Sequence, residues 1–264
     1  MEFKEWLDIS EGATDNKHPF RVIFMAGGPG SGKTWIANQM FGQEFKRSNS
    51  DEIMKLFSKK SPDIVKSVRG QPDYVKKQEL EKKAVRISKS RTDFWVKSGI
   101  PFIVDITGRN LALVQELKTD FEGAGYDASL VFVSTSLESA LRRNKQRKGE
   151  RGAHVADEDF LTNAWWKSHE NWKEMRDIFG DGNYQTVLND KDFDQQSLRL
   201  VGPELRKLGN KIINQRLKNP KGRSIVNREL AASSPKQTRR QDLLGVDHPW
   251  TRISTNKALG NRIF

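Results

Sequence analysis

Cysteine is missing altogether, which excludes disulfides, thiolate metal sites and a cysteine nucleophile and fits a reducing cytoplasm. Histidine is scarce at four scattered residues, so a zinc centre is not expected. Long apolar runs are also lacking. No stretch approaches the roughly 18 residues needed to cross a bilayer, and the opening MEFKEWLDIS carries acids where a secretory signal would carry an apolar run. Neither export by that route nor a membrane partner is expected, and a cytoplasmic location is. What remains suits a globular protein: 35% of the 264 residues are hydrophobic, and the glycines raise the apolar share to roughly 43%. The length fits one main domain of about 200 residues with something smaller attached.

The formal charge of +12 favours a polyanionic partner, and its distribution is uneven. Residues 203–264 hold 14 Lys+Arg against 4 Asp+Glu, a net +10, which leaves +2 for residues 1–202. The division expected is a catalytic-sized domain over 1–202, with its core at about 20–190, and a basic helix, linker and tail over 203–264.

Apolar runs at Arg21–Ala26, Pro101–Asp105, Ala128–Val133 and Tyr184–Leu188 read as buried strands, and helical spacing intervenes at Lys33–Met40, at Tyr74–Lys97 and from Leu137. Short buried strands separated by helices imply an α/β fold, a parallel sheet covered on both faces. Past Gly202 large apolar residues thin out, and about 219–242 reads as a linker or unfolded arm. The final stretch regains Leu243, Leu244, Trp250, Ile253 and Phe264 and could dock on this chain or a partner.

Gly27-Gly28-Pro29-Gly30-Ser31-Gly32-Lys33-Thr34 matches G-x-x-x-x-G-K-[ST] at every fixed position, between an expected strand and an expected helix. Glycines let such a loop wrap a β-phosphate with backbone N–H groups, and the helix aims its positive end at the same charge. Lys33 should bridge the β- and γ-phosphates of ATP, and Thr34 should hold Mg²⁺. Asp51 lies about 18 residues past Lys33, where a second strand should return to the same crevice. It reads either as the base for an attacking hydroxyl or as a cap or first-turn acid of a helix through Ile53 and Leu56.

Asp105 ends an apolar strand, the place of a carboxylate that orients the metal's water shell. Thr107, Arg109 and Asn110 follow as groups that can meet phosphate or acceptor, or as a strand-to-helix turn capped by Asn110. Arg143, Arg147 and Arg151 recur four apart, so a helix would present them on one face suited to a triphosphate, although a charge run is often a solvated face. Gly149 and Gly152 would let that segment close as a lid. Trp165 and Trp166 could stack on bases, but on a helix over about 158–176 at least one belongs to the core.

GGPGSGKTWIA at 27–37, NSDEI at 49–53, VDITGRN at 104–110 and ALRRNKQRKGERGAHVADEDF at 140–160 resemble the phage polynucleotide kinase and zeta-toxin group of P-loop kinases over about 21–190. The resemblance implies a five-stranded parallel sheet of the adenylate-kinase type with a helical lid. It also implies ATP·Mg bound by the loop through Lys33 and Thr34, Asp51 as base, and Arg143 and Arg147 clamping the donor. Where the group's pattern has an acceptor-holding arginine three residues after the aspartate, this chain has Met54. Either Arg47, Lys55 or Arg109 substitutes, or the acceptor is not a 5′-hydroxyl end; a related phage group phosphorylates hydroxymethyl-pyrimidines within DNA.

The expected activity is therefore ATP-dependent transfer to a hydroxyl on a nucleic acid, DNA in preference to RNA, met by the active site and the basic tail. A phage origin would make the compartment the host cytoplasm. Two alternatives stand beside it: a kinase of a small nucleotide-sugar, as in zeta toxins, and an ATP-binding docking module without catalysis. In the related folds the adenine sits near the loop after the last strand, here around Asn189 and Asp190.

Overall fold

The fold was analysed in a computed structural model, which describes residues 17–42, 44–67, 70–147, 157–190 and 195–233. Five strands, β1 (Arg21–Ala26), β2 (Lys46–Ser48), β3 (Phe102–Asp105), β4 (Asp127–Ser134) and β5 (Tyr184–Leu188), form one sheet in the order β2-β3-β1-β4-β5. Every pairing is parallel, with Met25 of β1 level with Asp105 of β3 and with Val131 of β4. The ten helices of the described residues are α1 (Lys33–Phe41), α2 (Ser50–Lys60), α3 (Pro62–Lys66), α4 (Tyr74–Lys97), α5 (Leu111–Ala124), α6 (Leu137–Gln146), α7 (Glu158–Glu170), α8 (Trp172–Phe179), α9 (Gln195–Ile213) and α10 (Pro220–Ser233).

The central strand is buried at all six positions, which is why it reads as an apolar run from Val22 to Ala26 behind Arg21. Its residues alternate between two cores. Val22, Phe24 and Ala26 point to the layer of α5 and α8, among Phe102, Phe121, Tyr126, Met175 and Phe179. Ile23 and Met25 point to the layer of α1 and α9, among Ile36, Met40, Ile103, Leu205 and Ile212. Side chains of this size each contribute about 1.5–3 kcal/mol when fully buried, so the two layers hold the sheet from both faces.

Two expectations are corrected. The helix expected over about 158–176 breaks at Asn171, whose side-chain amide donates to Gly108 O at 3.0 Å and Arg109 O at 3.1 Å. The break turns α8 back onto the sheet and leaves α7 packed on α6 beside the glycine loop. The stretch expected as a linker over 219–242 contains α10. Proline at its first position suits a helix start, Asn219 Oδ1 accepts from Lys221 N at 3.0 Å, and Ile225 and Val226 pack on the core. The compositional change after Gly202 falls inside α9, and residues 234–264, including the expected docking segment 243–264, lie outside the described residues.

A buried clasp ties α9 and α10 to the sheet. The Asp127 carboxylate accepts from Arg21 Nη1 at 2.9 Å, from Lys218 N at 2.6 Å and from Asn219 N at 2.8 Å, and Arg21 Nη2 donates to Gln215 O. The two side chains are 7% and 14% exposed. Removing one partner of such a pair strands the other charge, at a cost of about 3–5 kcal/mol. Asp127→Ala is therefore expected to lower unfolding free energy by about that amount in urea denaturation followed by circular dichroism, and a loss below about 1 kcal/mol would show that the clasp is dispensable.

Candidate active site

The carboxyl ends of β1, β3 and β2 lie side by side at one edge of the sheet, and each leads into a segment singled out in the sequence. From β1 the chain enters the glycine loop and then α1. Gly27 and Gly30 have φ of +142° and +81°, which L side chains rarely adopt. A Cβ on Gly27 would lie 2.5 Å from Val133 O of β4, and one on Gly30 would lie 2.5 Å from Ala140 O of α6. The loop is wedged against its neighbours at both points. Lys33 folds over it, donating from Nζ to Gly27 O at 2.7 Å and Gly28 O at 3.1 Å. Thr34 is exposed in the first turn of α1, Ser31 is buried, and Pro29 is half-buried.

The far side of the loop is braced from the end of β5. Asn189, 4% exposed, donates from Nδ2 to Ser31 O at 2.6 Å and accepts at its own carbonyl from Thr135 Oγ1 at 3.0 Å. Arg143 Nη1 donates to the same carbonyl at 2.8 Å and approaches Gly30 O at 3.4 Å. Asp190 accepts from Ser136 N and Thr135 Oγ1. The Ser136 backbone N–H, then its side chain, the Thr135 hydroxyl and the Arg143 charge hold the Asp190 carboxyl below the usual carboxylate range. Asn189 and Asp190, expected near an adenine, thus have their side chains turned onto the loop and the β4–α6 turn.

Arg147 caps the carboxyl end of α6 one turn beyond Arg143, as the four-residue spacing requires. Arg151, Gly149 and Gly152 lie outside the described residues.

At the next strand end, Asp105 places Oδ2 3.7 Å from Arg47 Nε, the two side chains being 15% and 9% exposed. Both carboxylate oxygens are screened from solvent. The turn that follows is folded on itself: Arg109 N approaches Thr107 Oγ1 at 3.5 Å, and Asn110 Oδ1 accepts from Leu113 N at 3.2 Å as the cap of α5. Asn110 therefore takes the capping role that the sequence left open. Arg109 is exposed, its guanidinium carbon 5.0 Å from the Phe160 ring centroid, a cation–π contact. At the third strand end, β2 leads after one residue into α2, and Asp51 is the second residue of that helix.

Trp165 is the one of the two tryptophans that packs in the core, as expected of at least one of them; the sequence did not give its partners or those of Asn171. It donates from Nε1 to Thr135 O at 2.7 Å and stacks on His169 at 4.1 Å, and its backbone lies against Gly28. Trp166 is 55% exposed. Asn171 carried no signal, because its bonds run to a loop 62 and 63 residues away.

Among the described residues no group of three His, Cys, Asp or Glu could hold a metal by itself. A hydroxyl at Thr34 and a carboxylate at Asp105 do fit the hard oxygen donors of Mg²⁺, which binds through one or two protein groups plus substrate phosphates and waters.

The zeta toxin family model matches residues 4–176. No curated protein matches the chain. Among solved structures, the AvrRxo1-ORF1:-ORF2 complex with ATP is similar at a TM-score of 0.52 and 13% identity, over 75% of this chain and 67% of that one. The same complex with sulphate ions is similar at 0.50 and 14%, over 80% and 76%. A chain of the PezAT chromosomal toxin–antitoxin system of Streptococcus pneumoniae is similar at 0.48 and 18%, over 80% and 92%. At these identities the likeness of the first two is one of fold, that of the P-loop kinases.

Asn189→Ala removes the buried donor to Ser31 O, an omission that costs about 1–3 kcal/mol. Weaker ATP binding is expected in calorimetric titration together with a lower Tm; unchanged affinity would mean that the loop holds its shape without the brace. For Asp190 the folded pKa is depressed, so its stabilising bonds are complete above the unfolded value of about 3.9 and are lost as pH falls through the folded one. The Tm gap between wild type and Asp190→Asn is accordingly expected at pH 7 and should close once the pH falls below that range. A gap that persists there would contradict the assignment.

Proposed function

The chain belongs to the zeta toxin family, and from that premise we propose that it is an ATP-dependent kinase whose acceptor is a hydroxyl on a nucleic acid. The observation that carries the reading is the adjacency of three strand ends, which bring the glycine loop, Asp105 and Asp51 to one edge of the sheet. A donor phosphate, a carboxylate at a strand end and a second carboxylate to take the acceptor's proton are the parts that hydroxyl phosphorylation needs.

In this reading the loop N–H groups and the amino end of α1 receive the β-phosphate. Lys33 leaves the loop carbonyls for the phosphate oxygens, where its charge meets the charge that grows during transfer. Asp51 accepts the proton of the attacking hydroxyl. The acceptor oxygen forms a bond to the γ-phosphorus, the bond from that phosphorus to the β–γ bridging oxygen breaks, and ADP leaves. Mg²⁺ held by Thr34 and by Asp105 through water would neutralise phosphate charge there. Arg147 serves as the donor clamp. Arg143 acts from behind the loop, through Gly30 and Asn189. Of the three cations that can replace the arginine missing at Met54, Arg47 faces Asp105, whereas Arg109 and Lys55 are exposed. Arg109 is assigned to the acceptor, since it is exposed just past the end of β3, beside Phe160.

A second reading, a small nucleotide-sugar acceptor, is favoured by a cavity of about 550 Å³ beside the start of α2, bordered by Ser50, Ser88, Lys89, Thr92, Val104 and Asp120. That size suits a small ligand.

The test is transfer of γ-labelled phosphate to 5′-hydroxyl DNA, 5′-hydroxyl RNA, DNA containing hydroxymethyluracil, and a nucleotide-sugar. Asp51→Asn is expected to lower transfer about 10²–10⁴-fold with ATP affinity nearly unchanged, and Lys33→Ala to lower kcat about 10²–10³-fold. Arg109→Ala should raise KM for the acceptor and leave that for ATP. An Asp51→Asn enzyme with the wild-type rate would remove Asp51 as the base, and label on the nucleotide-sugar alone would establish the second reading.

A further inference from the structure

The charge of the catalytic part is not spread evenly. Residues 50–97, which form α2, α3 and α4 between β2 and β3, hold 13 Lys+Arg against 7 Asp+Glu, a net +6. The remainder of residues 1–202 is therefore net −4. The near-neutrality of 1–202 hides a strongly basic helical insert that starts at the first turn of α2, where Asp51 lies.

Helix α4 packs its last turns on the core through Trp95 and Val96 and leaves most of its length to solvent. Of its 24 residues only Ala84 is buried among the described side chains. Lys82, Arg86 and Lys89 follow at i, i+4 and i+7, so they share one face, and all three are exposed. At about 1.5 Å rise per residue they mark a line roughly 10 Å long. The stripe joins two clefts. Lys82 and Arg86, with Lys83 and Lys76, border a groove of about 520 Å³ against Ser61 and Ile64 at the far end of α2. Lys89 borders the cavity that contains Ser50, the residue before Asp51, a cavity also lined by Asp93 and Asp120. The cations thus run from beside the far end of α2 to the rim of that cavity, where Asp93 follows on the same face.

We propose that the Lys82–Arg86–Lys89 stripe carries the phosphate backbone of a single-stranded nucleic acid whose reactive hydroxyl lies at Asp51. The inference rests on the nucleic-acid reading of the acceptor. Charge complementarity selects a polyanion, and the continuity of the stripe with the first turn of α2 selects one whose reacting end enters the site. An acidic protein surface would gain nothing from that continuity. Phosphates held along α4 would also position an acceptor that lacks the arginine absent at Met54, because several weak backbone contacts fix register without any one of them touching the hydroxyl.

The test uses the full chain, a fluorescein-labelled 20-nucleotide single strand, and anisotropy titrations between 50 and 200 mM salt. The stripe variant is Lys82→Glu with Arg86→Glu and Lys89→Glu. The control reverses three exposed cations elsewhere, Lys173, Lys207 and Lys211, and so has the same net charge. The stripe variant is expected to raise Kd at least tenfold and to flatten the salt slope by about two, since each lost single-strand phosphate contact removes about 0.7. The control is expected to change Kd less than threefold.

Equal losses in both variants, or in neither, would overturn the proposal. So would displacement of the strand by polyglutamate at equal charge concentration, which would make the surface a site for acidic proteins. Label transfer separates this inference from the reading beneath it. Strand binding that depends on the stripe, with no phosphate ever transferred to it, keeps the track and removes the acceptor assignment. Transfer to the strand with the same acceptor KM in both variants keeps the acceptor assignment and removes the track.

Discussion

The structure depends on the absence of two side-chain carbons. Gly27 and Gly30 bring the loop backbone so close to Val133 O and Ala140 O that a methyl group at either position meets a carbonyl oxygen at 2.5 Å. Real Cβ atoms essentially never come so near, and both glycines also hold positive φ. The loop is therefore shaped by β4 and α6 as much as by its own turns.

From that wedge the rest of the site follows. β4 continues into the Thr135–Ser136 turn, which holds Asp190 and Asn189, and Asn189 returns to the loop at Ser31. Arg143 closes the circuit from α6. On the other side of β1 the parallel partner β3 puts Asp105 level with Met25, one residue from the loop. The order β2-β3-β1 then places the start of α2, with Asp51, two strands away from the glycine loop. The break at Asn171 serves the same end, binding the turn after β3 to α7 and α8.

Much of this was legible in the residues. β1 and β5 have the bounds read from their apolar runs, and α4 those read from its helical spacing, because a strand's short apolar run and a long helix each leave a local pattern. The glycine loop was legible for the same reason. What was not legible depends on contacts distant in the chain. Arg143 reads as a free clamp, yet its role at Asn189 rests on a bond across 46 residues. α10 reads as a linker since its polar composition hides the two side chains, Ile225 and Val226, that seat it. Asn110 was legible as both a ligand and a cap, and only the 3.2 Å bond to Leu113 N decides for the cap. The basic insert was concealed by averaging, its +6 offset by −4 in the rest of residues 1–202.

The central claim is that this edge of the sheet moves a phosphoryl group from ATP to an acceptor hydroxyl. The most direct measurement is mass spectrometry of acceptors incubated with the full chain, Mg²⁺ and ATP labelled with ¹⁸O in the γ-phosphate. The expected result is one labelled phosphoryl group on the oligonucleotide, retaining its three ¹⁸O atoms, with ADP formed in equal amount. Labelled inorganic phosphate alone, with every acceptor unmodified, would contradict the account.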